Sequence, residues 1–249
     1  MKIIINGILG AMGKEVEKLV REGYRGSVLA HGVDISARDA HVDYPISALI
    51  ADAPEDADCI IDFSHHSCTK DLLEHAISHN IPLVIATTGQ TEEEKEMIYK
   101  AAKQIPLFFA SNYSLGIALL IELAKKTAEA MPDAEIAIVE YHHDRKLDAP
   151  SGTALTIAKE VASVRQGSDI ISGRSGMKKR EHSDIGISSV RLGNIVGIHE
   201  VLISTGNQTI TLKHEAGSRA LFAEGALDAA AFLQGKGPGL YDMKSLLNG

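Results

Sequence analysis

The chain has 249 residues, 45% of them apolar, and a net charge of −8, enough to bury one large core or two modest ones. It has no basic tail or Lys/Arg-rich run, which argues against a nucleic-acid partner, and the acidic field means that a small anionic ligand needs a local positive patch. The apolar start, MKIIINGILGAMG, is too short to span a bilayer and lacks a signal-peptide layout, and the two cysteines, Cys59 and Cys68, make no disulfide framework. A cytoplasmic chain with no membrane partner is the expectation.

In chain order, residues 2–6 form a β-branched run that stops at Gly7, and residues 14–23 (KEVEKLVREG) repeat apolar positions at helical spacing up to a glycine stop. SVLAHGVD then reads as a strand ending in an acid, so the first 35 residues spell the β-turn-α-β opening of a doubly wound sheet. The pattern continues with ADCIIDFS (strand), TKDLLEHAISHN (helix), PLVIATTG (strand), TEEEKEMIYKAAKQ (helix) and PLFFASN (strand). Their short continuous apolar runs suit parallel strands covered on both faces. After Asn112 the rhythm changes. Residues 114–131 read as one long helix, AEIAIVEYHHD as a strand and residues 151–162 as a further helix. Residues 185–213 alternate with period two between Gly- and Asn-containing turns, which predicts two or three antiparallel strands, and 219–233 form an Ala-rich helix. The expected organisation is α/β: a dinucleotide-binding domain at 1–114 and 223–249, with a second domain at 115–222 inserted before the C-terminal helix returns.

Gly7-x-x-Gly10-x-x-Gly13 lies between the first strand and the first helix. Glycines there allow a tight turn, close backbone approach to a pyrophosphate and helix-on-strand packing, and the helix N-terminus adds N–H donors. Asp34 follows about 20 residues on, at the end of the next strand, as a ribose contact requires. An acid there accepts from a 2′-hydroxyl and repels a 2′-phosphate, which points to NADH. The spacing departs from G-x-G-x-x-G, and Arg38 keeps the NADPH alternative open.

Residues 140–153, EYHHDRKLDAPSGT, are the most informative stretch. His142, His143, Arg145 and Lys146 crowd the end of a strand, directly before Ser151-Gly152-Thr153. A hydroxyl residue there caps the helix, and the N–H groups of Gly152 and Thr153 make an anion site. A carboxylate held by those N–H groups and by His or Lys, with His and Lys as proton donors, would suit a reduction that builds negative charge on the substrate. The competing reading is a solvated polar loop before an ordinary capped helix. His65-His66-x-Cys68 invites a metal reading, but adjacent histidines on an extended chain point to opposite sides, so no metal is expected. His199 and His214 fit strand positions and read as structural; Phe63 and Tyr113 read as pocket or core.

At this point the chain resembles the 4-hydroxy-tetrahydrodipicolinate reductase family along its whole length. The likeness rests on EYHHDRKLDAPSGTA, the Gly7 to Gly13 loop with Met12, Asp62-Phe63-Ser64, Ala86-Thr87-Thr88-Gly89 and Ala110-Ser111-Asn112-Tyr113-Ser114-x-Gly116. Further matches are Gly173-Arg174-Ser175-Gly176, Ser189-Val190-Arg191-x-Gly193, Gly197-x-His199, Arg219-x-x-x-x-Ala223-x-Gly225-Ala226 and Gly239-Leu240-Tyr241-Asp242-Met243. The resemblance implies a Rossmann-type domain, a substrate and oligomerisation domain with a mixed sheet, and a homotetramer. It implies reduction of a small cyclic dicarboxylate with NADH or NADPH, in lysine and diaminopimelate synthesis. It makes His142 the proton donor and acceptor and Lys146 a second donor, with His143, Gly152 and Thr153 on the substrate carboxylates. Cofactor contacts would fall on Gly7, Ile8, Leu9, Gly10, Ala11, Met12, Asp34, Ala86, Thr87, Thr88, Ala110, Ser111, Asn112 and Tyr113. The family often carries arginine at the positions of Ala11 and Ile35, so this chain is expected to use NADH at least as well as NADPH. Two further departures, Ala86 for a glycine and His66 for a proline, leave the substrate motif untouched.

Overall fold

Residues 1–249 are all described by the computed structural model. The β-branched and apolar runs form strands β1 (Lys2–Asn6), β2 (Val28–Val33), β3 (Ile46–Ser47), β4 (Cys59–Asp62), β5 (Leu83–Ile85) and β6 (Pro106–Phe109). Helices α1 (Ala11–Arg21), α2 (Thr69–Ser78) and α3 (Glu92–Ala101) alternate with them. The start of α3 is fixed by a capping box, in which the Thr91 hydroxyl accepts from Glu94 N–H and the Glu94 carboxylate accepts from Thr91 N–H. Then come α4 (Leu115–Ala130), β7 (Glu135–His142), α5 (Gly152–Ser163), β8 (Ile170–Ser172), β9 (Ile185–Arg191), β10 (Gly197–Ser204) and β11 (Thr209–Ala216). The chain closes with α6 (Ala220–Leu233), β12 (Gly239–Tyr241) and α7 (Met243–Asn248).

Two compact units result, Met1–Leu115 with Arg219–Gly249, and Gly116–Ser218. In the first, seven strands pair in parallel in the order β12-β6-β5-β4-β1-β2-β3. The chain runs outward from β1 to β3 and then returns to the other side at β4. The order therefore reverses between β1 and β4, and their carboxyl ends open the crevice where doubly wound sheets bind ligands. Ile4, Ile60, Leu83, Ile85 and Leu107 are fully buried in the core on one face of this sheet, which explains their unbroken apolar text.

The second unit is a five-stranded mixed sheet, β11-β10-β7-β9-β8. β10 pairs antiparallel with β7 and β11, whereas β9 pairs parallel with both β7 and β8. The antiparallel expectation for residues 185–213 thus holds for β10 and β11 and fails for β9. Period-two alternation is blind to strand direction; here α5 carries the chain back before β8, and residues 173–184 carry it back again before β9, so both strands run in the direction of β7. On β7 the residues Ile136, Ile138, Glu140 and His142 are buried, and Ile136 and Ile138 pack with α4 and α5 in this unit's core. Glu140 and His142 thus continue an apolar face with polar side chains.

Candidate active site

In the first unit the glycine turn is built for close backbone approach. Gly7 has φ +80° and donates its N–H to Val33 O at 2.8 Å. A Cβ on Gly7 would stand 2.5 Å from Phe63 O, and one on Gly13 would stand 2.1 Å from Gly7 O. The N-cap of α1 is Gly10, with no side-chain cap and no acid in the first turn, so Ala11 and Met12 begin a helix whose positive end suits a pyrophosphate. Ile8 is fully buried and donates its N–H to Val33 O at 3.3 Å, so this residue shapes the turn from beneath. Asp34 closes the loop from outside: Leu9 N–H donates to Oδ2 and Ser36 N–H to Oδ1, each at 3.0 Å. Each oxygen keeps a lone pair for a ribose hydroxyl.

Asp62, buried at the end of β4, joins three of the turns. Its Oδ1 accepts from Asn6 Nδ2 (2.8 Å) and Ser64 Oγ (2.6 Å), and its carbonyl accepts the N–H groups of Ala86 (2.9 Å) and Thr87 (3.1 Å). Burial raises its carboxyl pKa even against these hydrogen bonds. Tyr113 is buried and donates its hydroxyl to Ile85 O at 2.7 Å, while Asn112 Oδ1 accepts from Ser114 N–H at 2.8 Å. Residues 7–12, 34, 86–88 and 110–113 therefore line the carboxyl rim of this sheet, after β1, β2, β5 and β6.

In the second unit the sheet register gathers the polar groups. Glu140 lies across from His199 on β10 and from Ser189 on β9, and His142 lies across from Arg191. The Glu140 carboxylate is fully buried and fourfold engaged. Arg191 donates Nη1 to Oε2 (3.0 Å) and Nη2 to Oε1 (2.8 Å), Ser151 N–H donates to Oε1 (3.2 Å), and His142 Nδ1 stands 2.5 Å from Oε2. Burial pushes this carboxyl up, but the hydrogen bonds from Arg191, Ser189 and His142 outweigh it and hold the pKa at about 2. An ionised carboxylate only accepts, so His142 Nδ1 carries the hydrogen and Nε2 is the nitrogen left for chemistry. Burial lowers the His142 pKa, opposed by Glu140 and assisted by Lys146 and Arg191.

Around this dyad, Lys146 Nζ pairs with Asp148 Oδ1 at 2.8 Å, and His143 has a buried Nδ1 with no partner. Ser151 caps α5 as the sequence predicts, its hydroxyl accepting from Ala154 N–H at 3.2 Å. Gly152 and Thr153 form the first turn of α5 behind it, Gly152 exposed and Thr153 half-buried. His142, His143, Lys146, Gly152 and Thr153 all fall between the end of β7 and the start of α5.

Glu140, Arg191 and His199 belong to this cluster although the sequence pattern does not single them out for it. The usable signal is a carboxylate two residues before a histidine on the inward face of an apolar strand. His199, which reads as structural, is buried with its ring centroid 5.3 Å from that of His142 and its Nε2 3.3 Å from Ser151 Oγ. His65 and His66 do not point to opposite sides as an extended chain would require. The chain turns into a 3-10 helix at His66, so the two rings lie side by side at 4.3 Å. His65 contacts Ser67 Oγ, and His66 contacts the Glu94 carboxylate.

A parallel doubly wound sheet with an open glycine turn, in one chain with a cluster of His, Lys and Arg side chains at a helix start, defines an oxidoreductase of the nicotinamide-dinucleotide-binding Rossmann class. Residues 1–113 match the family described as dihydrodipicolinate reductase, N-terminus, and residues 116–247 match dihydrodipicolinate reductase, C-terminus. The chain belongs to the dihydrodipicolinate reductase family. A 4-hydroxy-tetrahydrodipicolinate reductase of Caldanaerobacter subterraneus subsp. tengcongensis is 43% identical to it, over 99% of this chain and 98% of the relative. One of Clostridium novyi is 38% identical over 99% and 98%. A solved structure, dipicolinate-bound dihydrodipicolinate reductase from a Paenisporosarcina species, superposes with TM-score 0.79 at 25% identity, covering 97% of each chain.

Proposed function

We propose that this chain reduces 4-hydroxy-tetrahydrodipicolinate to tetrahydrodipicolinate, with loss of water, in diaminopimelate and lysine synthesis. The observation that carries the reading is the buried Glu140–His142 pair set beside Lys146 and the start of α5, in a chain of this family. Within the reading, residues 1–114 and 223–249 bind the cofactor and 115–222 the substrate. A bound reduced nicotinamide dinucleotide supplies the hydride.

The chain's own residues do the rest. Gly7, Gly10 and the N-terminus of α1 hold the pyrophosphate, and Asp34 accepts from the adenine ribose. Residues 86–88 and 110–113 shape the remainder of the cofactor cleft. Gly152 N–H, Thr153 and His143 hold the substrate carboxylates, and Lys146 leaves Asp148 to meet them. The dianion's charge raises the proton affinity of His142, so that an imidazolium Nε2–H stands ready to return a proton once the ring gains electron density. The fixed positive charge of α5 and Lys146 stabilises that density as it builds.

NADH serves at least as well as NADPH in this account, because Asp34 repels a 2′-phosphate and Ala11 and Ile35 offer it no cation. The enzyme is also taken to be a cytoplasmic homotetramer. Val139, Tyr141, Ile198 and Leu202, half-buried on the sheet face turned away from α4 and α5, support a partner there, and no helix is long and apolar enough to cross a membrane. The test is NADH oxidation upon addition of enzymatically generated substrate. Wild-type enzyme turns over, while His142→Gln and Lys146→Ala each lose roughly 10²–10⁴ in kcat with unchanged NADH affinity. Near-wild-type turnover in both variants rejects the assignment.

A further inference from the structure

One buried group touches both halves of the substrate pocket. Glu140 Oε2 meets His142 Nδ1, and Oε1 accepts the N–H of Ser151, the residue that caps α5. Arg191 grips both oxygens and also donates Nη2 to Asp148 O at 2.6 Å, which ties down the loop carrying Lys146. Glu140 has no exposed surface, so its carboxylate cannot contact a substrate directly. An ion pair of this kind, buried on a strand face that begins with Ile136 and Ile138, is costly to desolvate and is weak evidence for stability alone.

We propose that Glu140 is a positioning residue: its carboxylate orients His142 with the reactive Nε2 outward and at the same time fixes the start of α5, so that proton donor and carboxylate clamp are set by one group. The inference rests on the reductase reading above. Arg191 is the counter-ion that grips Glu140 at both oxygens, while Ser189 and His142 also favour its ionised form. Gly197 leaves room for the result, since a Cβ there would lie 3.1 Å from His142 Nε2. The charged and titratable groups facing His142 are Glu140 on its own strand, Arg191 on β9, His199 on β10 with His214 across from it on β11, and His143, Lys146 and Asp148 in the loop before α5. Glu140 and Asp148 are the anions of this set; the rest either carry positive charge or acquire it on protonation.

The signs follow from that balance. Glu140→Gln removes the nearest negative charge and presents an amide N–H to Nδ1, which moves the imidazole hydrogen to Nε2 and disfavours the imidazolium. The alkaline limb of kcat/KM moves to lower pH by about one pH unit or more. At neutral pH the rate falls about tenfold for each pH unit that the limb moves and recovers as pH is lowered, while KM for NADH stays constant. Glu140→Asp keeps the charge and moves the limb less. Arg191→Met removes a positive charge and moves the limb the other way, to higher pH.

The experiment measures pH profiles of all three variants beside wild type, together with the His142 ring titration by NMR of imidazole-labelled protein, which needs no turnover. Opposite displacements for Glu140→Gln and Arg191→Met, in both readouts, support the proposal. A pH-independent loss of rate with an unmoved His142 titration overturns it and makes Glu140 a structural ion-pair partner only. A wild type that never reduces the substrate defeats the functional reading instead, and the NMR titration still decides whether Glu140 orients His142.

Discussion

Gly13→Ala is the sharpest perturbation of the cofactor cradle. The new Cβ would stand 2.1 Å from Gly7 O and 2.6 Å from Ile8 Cα, where ordinary contact begins at 3.4 Å. Both neighbours are backbone, so no side chain can swing aside, and α1 must retreat from the turn by about 1 Å. Overpacking of this kind costs about 1–3 kcal/mol. If the strain falls on the turn that receives the pyrophosphate, the NADH dissociation constant rises roughly 5- to 150-fold. Calorimetric titration with NADH reads this directly, and pyridine-2,6-dicarboxylate, a planar mimic of the substrate, reads the other unit. Affinity for the mimic stays at the wild-type value. Gly237→Ala, whose Cβ meets nothing within 4 Å, is the silent control. An NADH affinity within twofold of wild type in Gly13→Ala would refute the claim that this turn cradles the cofactor.

Thr153→Val removes a hydroxyl from the first turn of α5 and raises KM for the dicarboxylate about tenfold or more with kcat largely kept; an unchanged KM at saturating NADH moves the carboxylate site elsewhere. Asp34→Ala impairs NADH more than NADPH in kcat/KM, because it deletes a ribose acceptor and a repulsion together; equal losses would show that Asp34 serves only the Leu9 and Ser36 N–H groups. His199 has its pKa pushed down to about 4, by burial first and by the neighbouring His142 next. As pH falls from 6.5 toward 4, the unfolded chain takes up a proton that folded His199 refuses, so its contribution is whole above pH 6.5 and about 3 kcal/mol is lost by pH 4. His199→Gln flattens urea-denaturation stability over that window, and an undiminished slope assigns the effect to other buried histidines.

The doubly wound half was legible because buried parallel strands print as short apolar runs such as residues 59–62 and 83–85, separated by helices with clear stops. Strands β3, β8 and β12 have only two or three residues and no periodicity to detect, and α7 is a six-residue turn held by its Asp242 cap. The direction of β9 depends on where the chain has been, which alternation does not encode. His142, Lys146, Gly152 and Thr153 were legible because they share one segment. Arg191 is not recognisable as a partner because 51 residues separate it from Glu140, and only the β7–β9 register brings them together. His199 is hidden for the same reason: its meaning comes from the strand beside it.

The central claim is that hydride from a nicotinamide reaches the ring of the dicarboxylate. The most direct measurement supplies wild-type enzyme with 4,4-dideuterated NADH and enzymatically generated 4-hydroxy-tetrahydrodipicolinate, then weighs the product by mass spectrometry. The account predicts one deuterium per tetrahydrodipicolinate formed, in proportion to the NADH consumed and suppressed by pyridine-2,6-dicarboxylate. NADH oxidation that leaves the product unlabelled, or no substrate-dependent oxidation at all, would contradict it.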